Sequence, residues 1–218
     1  MDRTVKTRRY DASGRRARAE ENRAGILQAA HRLFLERGYA RTSIAAVAAA
    51  AGVSTDLVYK VFGRKQRLLV EVLNFAVTGE ADSPRVLDQQ GPQAVRAETD
   101  QRRQIAMFAE DIAGRVARAR PVDDVMRSAG AVDPALARKR VDMHRTRLSN
   151  MRAFVGWLAD NGPLRADLAE DDAAAAVWTL TSPDVHRLLV DEVGWEAEHY
   201  REWLHRTLEA VLLPPDAT

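Results

Sequence analysis

Metal binding by side chains in this chain would have to draw mainly on five histidines and 31 acidic residues, because it has no cysteine. His31, His144, His186, His199 and His205 show no metal-ligand spacing. No HExxH, GxSxG, Walker loop or GxGxxG occurs. The missing cysteines exclude disulfides, thiolate metal sites and cysteine nucleophiles, and they fit a reducing compartment. Carboxylates are abundant, but no pair stands apart as an acid–base dyad. The expectation is a protein that is not an enzyme, with no catalytic residue, no metal and no cofactor.

A different chemistry is written into SIAAVAAAAGVSTDLVYKVFGRKQRLL, Ser43 to Leu69. Alanines 45, 46 and 48–51 keep one helix thin, so that a second can cross it closely. Gly52 permits a tight turn, and Val53, Val58 and Phe62 fall on the inner side. Thr55, Asp56, Leu57, Tyr59 and Lys60 are left on the outer side and early turns of the second helix, with Ser54 at its mouth. A recognition helix in a major groove presents side chains to base edges and phosphates from those positions. Lys65 and the helix start at Thr42 are placed to meet phosphates. The expected DNA-binding set is Thr42, Ser54, Thr55, Asp56, Leu57, Tyr59, Lys60 and Lys65. Asp56 could accept from a cytosine amino group or support the helix N-terminus, and the second is favoured. The alternative for the pair is a generic helical hairpin with its polar side in water.

Charge distribution favours DNA. Residues 1–67 hold 15 of the 33 lysines and arginines but six of the 31 acidic residues, a balance of +9. The rest of the chain carries −7, for +2 overall. A basic head on an acidic body is the pattern of a polyanion-binding unit.

The elements that must position these residues all read as helices. Residues 1–19 are basic and lack periodicity, which predicts a flexible arm. From about Glu20, Ile26, Leu27, Ala30, Leu33 and Phe34 recur at helical steps, and Gly38 is a plausible stop. Thr42 or Ser43 caps a second helix, Ser54 a third, and a fourth starts near Arg64. Residues 79–92, with two glycines and two prolines, read as the linker between a head (20–78) and a body (93–218). In the body, helices are predicted at about 93–118, 134–161, 169–181 with a restart to 193, and 196–213. The fold class is all-α: a three-helix DNA-binding head with a helix-turn-helix, then an antiparallel helical bundle for ligand binding and dimerisation.

The stretch ILQAAHRLFLERGYARTSIAAVAAAAGVSTDLVYKVFGRKQRLLVEVL resembles the N-terminal domain of the tetracycline-repressor (TetR) family of bacterial transcription regulators. The matching residues include Ile26, Phe34, Gly38-Tyr39, Thr42, Ala51-Gly52-Val53-Ser54, Val58-Tyr59, Phe62, Lys65 and Leu68. VWTLTSPDVHRLLVDEVGWEAEHYREWLHRTLEAVLL is more loosely similar to the C-terminal helices of family members. The resemblance implies phosphate contacts by Thr42 and Lys65 and a backbone or base contact by Tyr59. Val61 departs from the polar or aromatic residue common at its position and is left out of the set.

The resemblance also implies a homodimer whose C-terminal helices form a four-helix interface, with Tyr200, Trp203, Leu204 and Leu208 as its candidates. Their alternative is burial within one chain. It further implies a small-molecule effector of unknown identity held in the body. Met107, Phe108, Met143, Met151, Phe154, Trp157 and Trp178 could line such a pocket or simply fill the core, and none is assigned. The function expected is a ligand-responsive repressor binding a palindromic double-stranded DNA operator. The rival is a helical carrier or partner-binding module whose basic head meets acidic protein or membrane. No apolar run follows Met1 and no window approaches the ~18 apolar residues of a span, so no membrane is expected and a cytoplasmic location is.

Overall fold

The structure, a computed structural model, describes residues 12–82 and 84–215. Among these residues it is helical, with no strand. The order is α1 (Ala12–Arg41), α2 (Ile44–Ala51), α3 (Thr55–Phe62), α4 (Lys65–Thr78), α5 (Gln90–Ala97), α6 (Gln101–Gly130), α7 (Pro134–Asn161), α8 (Glu170–Leu180), α9 (Pro183–His186) and α10 (Ala197–Leu212). A short 3₁₀ turn, Val86–Asp88, precedes α5, and α9 runs on as π-helical turns over Arg187–Glu192. No single helix among the described residues is long and apolar enough to cross a membrane.

The head's helices end where its glycines take positive φ. Gly38 (φ 73°, ψ 172°) breaks α1 before its last residues, Gly52 (φ 67°) closes α2, and Gly79 (φ 81°) closes α4. These are backbone conformations that a Cβ disfavours. α1 starts earlier than the periodicity predicts, at Ala12 rather than about Glu20, so residues 12–19 of the expected arm are helical. Their side chains from Gly14 onward are exposed, and Arg16 pairs with Glu20 at 3.0 Å. Alanine, arginine and an i,i+4 pair sustain a helix that has no apolar face. Residues 1–11 of that arm lie outside the described residues.

Two further boundaries differ from the sequence reading. The helix expected over 93–118 is two, separated where Glu98 accepts from the amides of Thr99 and Asp100 and Asp100 caps α6 through the Arg103 amide. α6 then continues to Gly130 through Pro121. The proline removes one bond to Ala117, and packing on both flanks holds the helix together.

That packing makes α6 the spine of the molecule. Its first half places Ile105, Ala109, Ile112 and Val116 in the body core with Phe154, Leu158, Val177, Tyr200 and Leu204. Its second half places Ala119, Val122, Met126 and Ala129 in one cluster with Leu27, Phe34, Val47, Phe62 and Leu69 of the head. Leu136 of α7 joins that cluster. Head and body therefore meet through shared apolar packing as well as through the linker.

Candidate nucleic-acid interface

α2 and α3 are joined by Gly52, Val53 and Ser54 and bend by 109° at that break. A three-residue glycine-containing turn and a near-perpendicular crossing are the geometry of a helix-turn-helix. Each helix is capped locally: Ser43 Oγ accepts from the Ala46 amide at 3.1 Å, and Ser54 Oγ from the Leu57 amide at 3.2 Å. Val53 N–H donates to the Ala48 carbonyl at 3.0 Å, fastening the turn. Ile44, Val47 and Ala48 of α2 and Val58 and Phe62 of α3 are buried.

The opposite face of α3 is open. Ser54, Asp56, Tyr59 and Lys60 are exposed, with Tyr59 at 53%, and Thr55 and Leu57 are half-buried. Val61 packs against the head core, whereas Leu57 is not among the side chains that do so. The helix phase therefore matches the sequence reading. Asp56 lies in the first turn of α3, where its charge favours the positive end of the helix dipole.

The flanking positions are less free. Thr42 is 1% exposed, and its hydroxyl lies 2.9 Å from the Gly38 carbonyl and 3.1 Å from that of Leu33. Lys65 Nζ donates to the Tyr39 carbonyl at 2.9 Å and sits 4.2 Å from the Tyr39 ring centroid; burial lowers its pKa. The Thr42 amide donates to the same Tyr39 carbonyl at 3.3 Å. One acceptor thus gathers Thr42 and Lys65 into a single corner at the starts of α2 and α4. Thr42 as placed has no side-chain surface for a phosphate, and its role here is to fix that corner. The Tyr39 carbonyl could not be found from the sequence, since a backbone acceptor leaves no residue-type signal. Exposed Arg41, two residues before the Ser43 cap of α2, and exposed Arg64, the N-cap residue of α4, stand beside the same corner and were not among the expected contacts.

Residues 26–72 match the family of bacterial regulatory proteins described as tetR family. The head of the chain, α1 to α4, is therefore similar to the DNA-binding domain of that family. The HTH-type transcriptional regulator HbdR of Aromatoleum sp. (strain CIB) is 43% identical over 70 residues, 32% of this chain and 31% of HbdR. TtgR of Pseudomonas putida, an HTH-type transcriptional regulator, is 43% identical over 56 residues, 26% of this chain and 27% of TtgR. These matches span less than a third of the curated relatives' own length. Structural similarity reaches further: NalD, the secondary repressor of the MexAB-OprM multidrug efflux pump in Pseudomonas aeruginosa, superposes with a TM-score of 0.61 at 21% identity. That match covers 90% of this chain and 98% of NalD, and it extends the fold likeness through the body.

A cavity of about 310 Å³ lies where head and body meet, between α4, α6 and α7. Val70, Leu73, Val77, Ile112, Val116 and Met151 give it an apolar wall, and Arg115, Asp123, Lys139, Arg140 and Arg147 supply charge. Of the seven aromatic and methionine candidates, Met143 and Met151 line it. Phe108 and Phe154 stack on each other in the body core with ring centroids 3.7 Å apart. The charged lining went unseen in the sequence because helices α6 and α7 carry so many charges that no pattern marks the inward ones.

Three of the four dimer candidates sit inside this chain. Tyr200, Leu204 and Leu208 are 1%, 0% and 0% exposed, so they have no surface for a second copy. Their burial follows from the three- and four-residue steps that put them on the face of α10 turned to the body core. Trp203 is half-buried and edge-on to Trp195 at 5.7 Å, and Trp195 stacks on exposed His199 at 4.2 Å. Leu188, early in α9's continuation, and Val193, just past its end, are exposed.

Proposed function

We propose that the protein is a ligand-responsive transcriptional repressor that binds a palindromic DNA operator as a homodimer and performs no catalysis. The observation that carries this is the 109° crossing of two capped short helices, with Tyr59, Lys60 and Asp56 on the open face of the second. In this reading α3 enters the major groove, and Leu57 and Tyr59 meet base edges or backbone. Lys65, Lys60 and the first amides of α2 meet phosphates, with Arg41 and Arg64 adding charge.

One recognition helix supplies little affinity, and a two-fold pair doubles the contacts. The aromatic surface of Trp195, His199 and Trp203, with Leu188 and Val193, is the favoured ground for the second copy. The cavity is where an effector would act, because its wall includes α4, which also carries the head. Gln66 of α4 donates to Asp133 at 3.3 Å, and the same carboxylate caps α7. A ligand that fits better when α4 is displaced from α6 and α7 would shift the population toward a conformer whose α3 spacing misses the half-sites.

Selection of genomic fragments by the purified protein tests the reading. Enriched fragments should share an inverted repeat with half-sites about one helical turn, or a multiple of it, apart. Fragments enriched without a common motif would favour general attraction to polyanions and sink the operator claim.

A further inference from the structure

Three arginines line the cavity, and they differ in what neutralises them. Arg115 is held by Asp111 at 2.6 Å and by Gln89. Arg140 forms a two-pronged pair with Asp123 at 2.9 and 2.8 Å. Arg147, on α7, has no carboxylate partner among the described residues. Its Nη1 donates to Thr181 Oγ1 at 2.9 Å and lies 3.3 Å from the Thr181 carbonyl, its Nη2 donates to the Trp178 carbonyl at 2.5 Å, and its guanidinium lies 4.8 Å from the Trp178 ring centroid. Its Nε is buried without a hydrogen-bond partner.

A guanidinium withdrawn from water and bonded only to uncharged acceptors carries a desolvation cost that an anion would offset. Burial pushes the Arg147 pKa down to about 10, which still leaves it charged near neutral pH. Asp123 and Asp184 lie within electrostatic reach, but Asp123 is engaged by Arg140 and Asp184 is exposed. Tyr200, whose buried hydroxyl also lacks a partner, feels the Arg147 charge as well. Among ionised lining groups the cations are Arg115, Lys139, Arg140 and Arg147, against the single carboxylate Asp123. The apolar wall would suit the remainder of a small organic molecule, and about 310 Å³ lies at the low end of small-molecule sites, roughly 300–1,000 Å³.

We propose that the cavity takes a small amphipathic monoanion, an organic carboxylate with an apolar tail, whose charged end pairs with Arg147. This rests on the reading of the cavity as the effector site and gives that site its ligand class. Arg147 already caps the C-terminal end of α8 through two carbonyls, so an anion drawn to it would also bear on how α7 sits against α8.

The test uses the full-length protein without DNA. Binding of octanoate, octanol and octylammonium is compared by calorimetry and thermal shift at matched ionic strength. Octanoate should bind on the order of tenfold tighter than octanol, the scale of one charge-assisted hydrogen bond, and octylammonium should bind weakest. Arg147→Gln should erase the preference for acid over alcohol while octanol still binds, and Arg147→Lys should restore part of it. A wild type that binds acid no better than alcohol, including one that binds neither, overturns the proposal. So does a preference that survives in a folded Arg147→Gln protein. Should that variant fail to fold, the wild-type comparison and the lysine variant decide the matter. Operator binding by the unliganded protein is measured separately. Its failure beside an intact acid preference would sink the repressor reading and leave the ligand class standing.

Discussion

Leu27→Ala removes a side chain from the head and should be felt in the body. Leu27, on α1, is 0% exposed and belongs to the cluster that includes Val122 and Met126 of α6 and Leu136 of α7. Truncating a fully buried leucine costs about 2–5 kcal/mol, the cost rising with the cavity left behind. Taking about 3 kcal/mol, and about 2–4 °C per kcal/mol for a chain of this size, the melting temperature should fall by roughly 6–12 °C. The four tryptophans, at 157, 178, 195 and 203, all lie in the body. Tryptophan fluorescence therefore reports body unfolding alone, while far-ultraviolet circular dichroism reports every helix. If α6 joins the two cores into one cooperative unit, both signals should shift together by the same amount. A fluorescence midpoint left at its wild-type value, with dichroism lost in an earlier separate step, would refute the shared spine and make the head an independent unit.

Leu57→Ala should cost about 1–3 kcal/mol on the best operator and little on unrelated duplex, as expected for loss of one base-edge contact. Lys65→Ala should weaken both duplexes alike and reduce the log–log salt slope by about 0.9, one phosphate's worth; an unchanged slope would leave Lys65 to its bond with Tyr39. Trp203→Ala should shift dimer toward monomer in sedimentation with little loss of thermal stability, whereas Leu204→Ala should lower stability by about 2–5 kcal/mol because its side chain fills the monomer core. An unaltered dimer in Trp203→Ala would move the interface elsewhere. Burial lowers the pKa of His31, His144 and His186 below 6.5, so between those values and 6.5 the unfolded chain binds more protons than the folded one. Stability should be full above about pH 7 and decline as the pH falls through 6.5, read from denaturant midpoints at about pH 7.5 and pH 5.5; equal midpoints would contradict the burial of these rings.

What the sequence disclosed follows from how local each determinant is. Ser43, Ser54, Gly38 and Gly52 set helix ends through bonds and dihedrals within four residues, and all four stand where the spacing put them. The outward face of α3 was legible for the same reason: over eight residues, Val58 and Phe62 fix the phase. Long-range consequences were not legible. Periodicity put Tyr200, Leu204 and Leu208 on an apolar face of α10 without saying whether this chain or a second copy covers it, and this chain does. The helix expected to end at about 118 runs on through Pro121 to Gly130, carried by tertiary packing in two cores. Thr42 matched a phosphate-contacting position, but whether its hydroxyl faces out or back toward Gly38 depends on the α1–α2 corner, which only the folded chain defines. The lone Arg147 was invisible because its distinction is the missing partner, a property of three packed helices.

The central claim, that the open face of α3 reads DNA sequence, is tested most directly by one ratio: affinity for the selected operator over affinity for a scrambled duplex of equal length and salt. Sequence-specific binding typically exceeds non-specific binding by about 10³–10⁷, and the account expects a ratio in that range that falls when Leu57 or Tyr59 is replaced by alanine. A ratio near one across the accessible salt range, in a protein that still melts cooperatively, would contradict it.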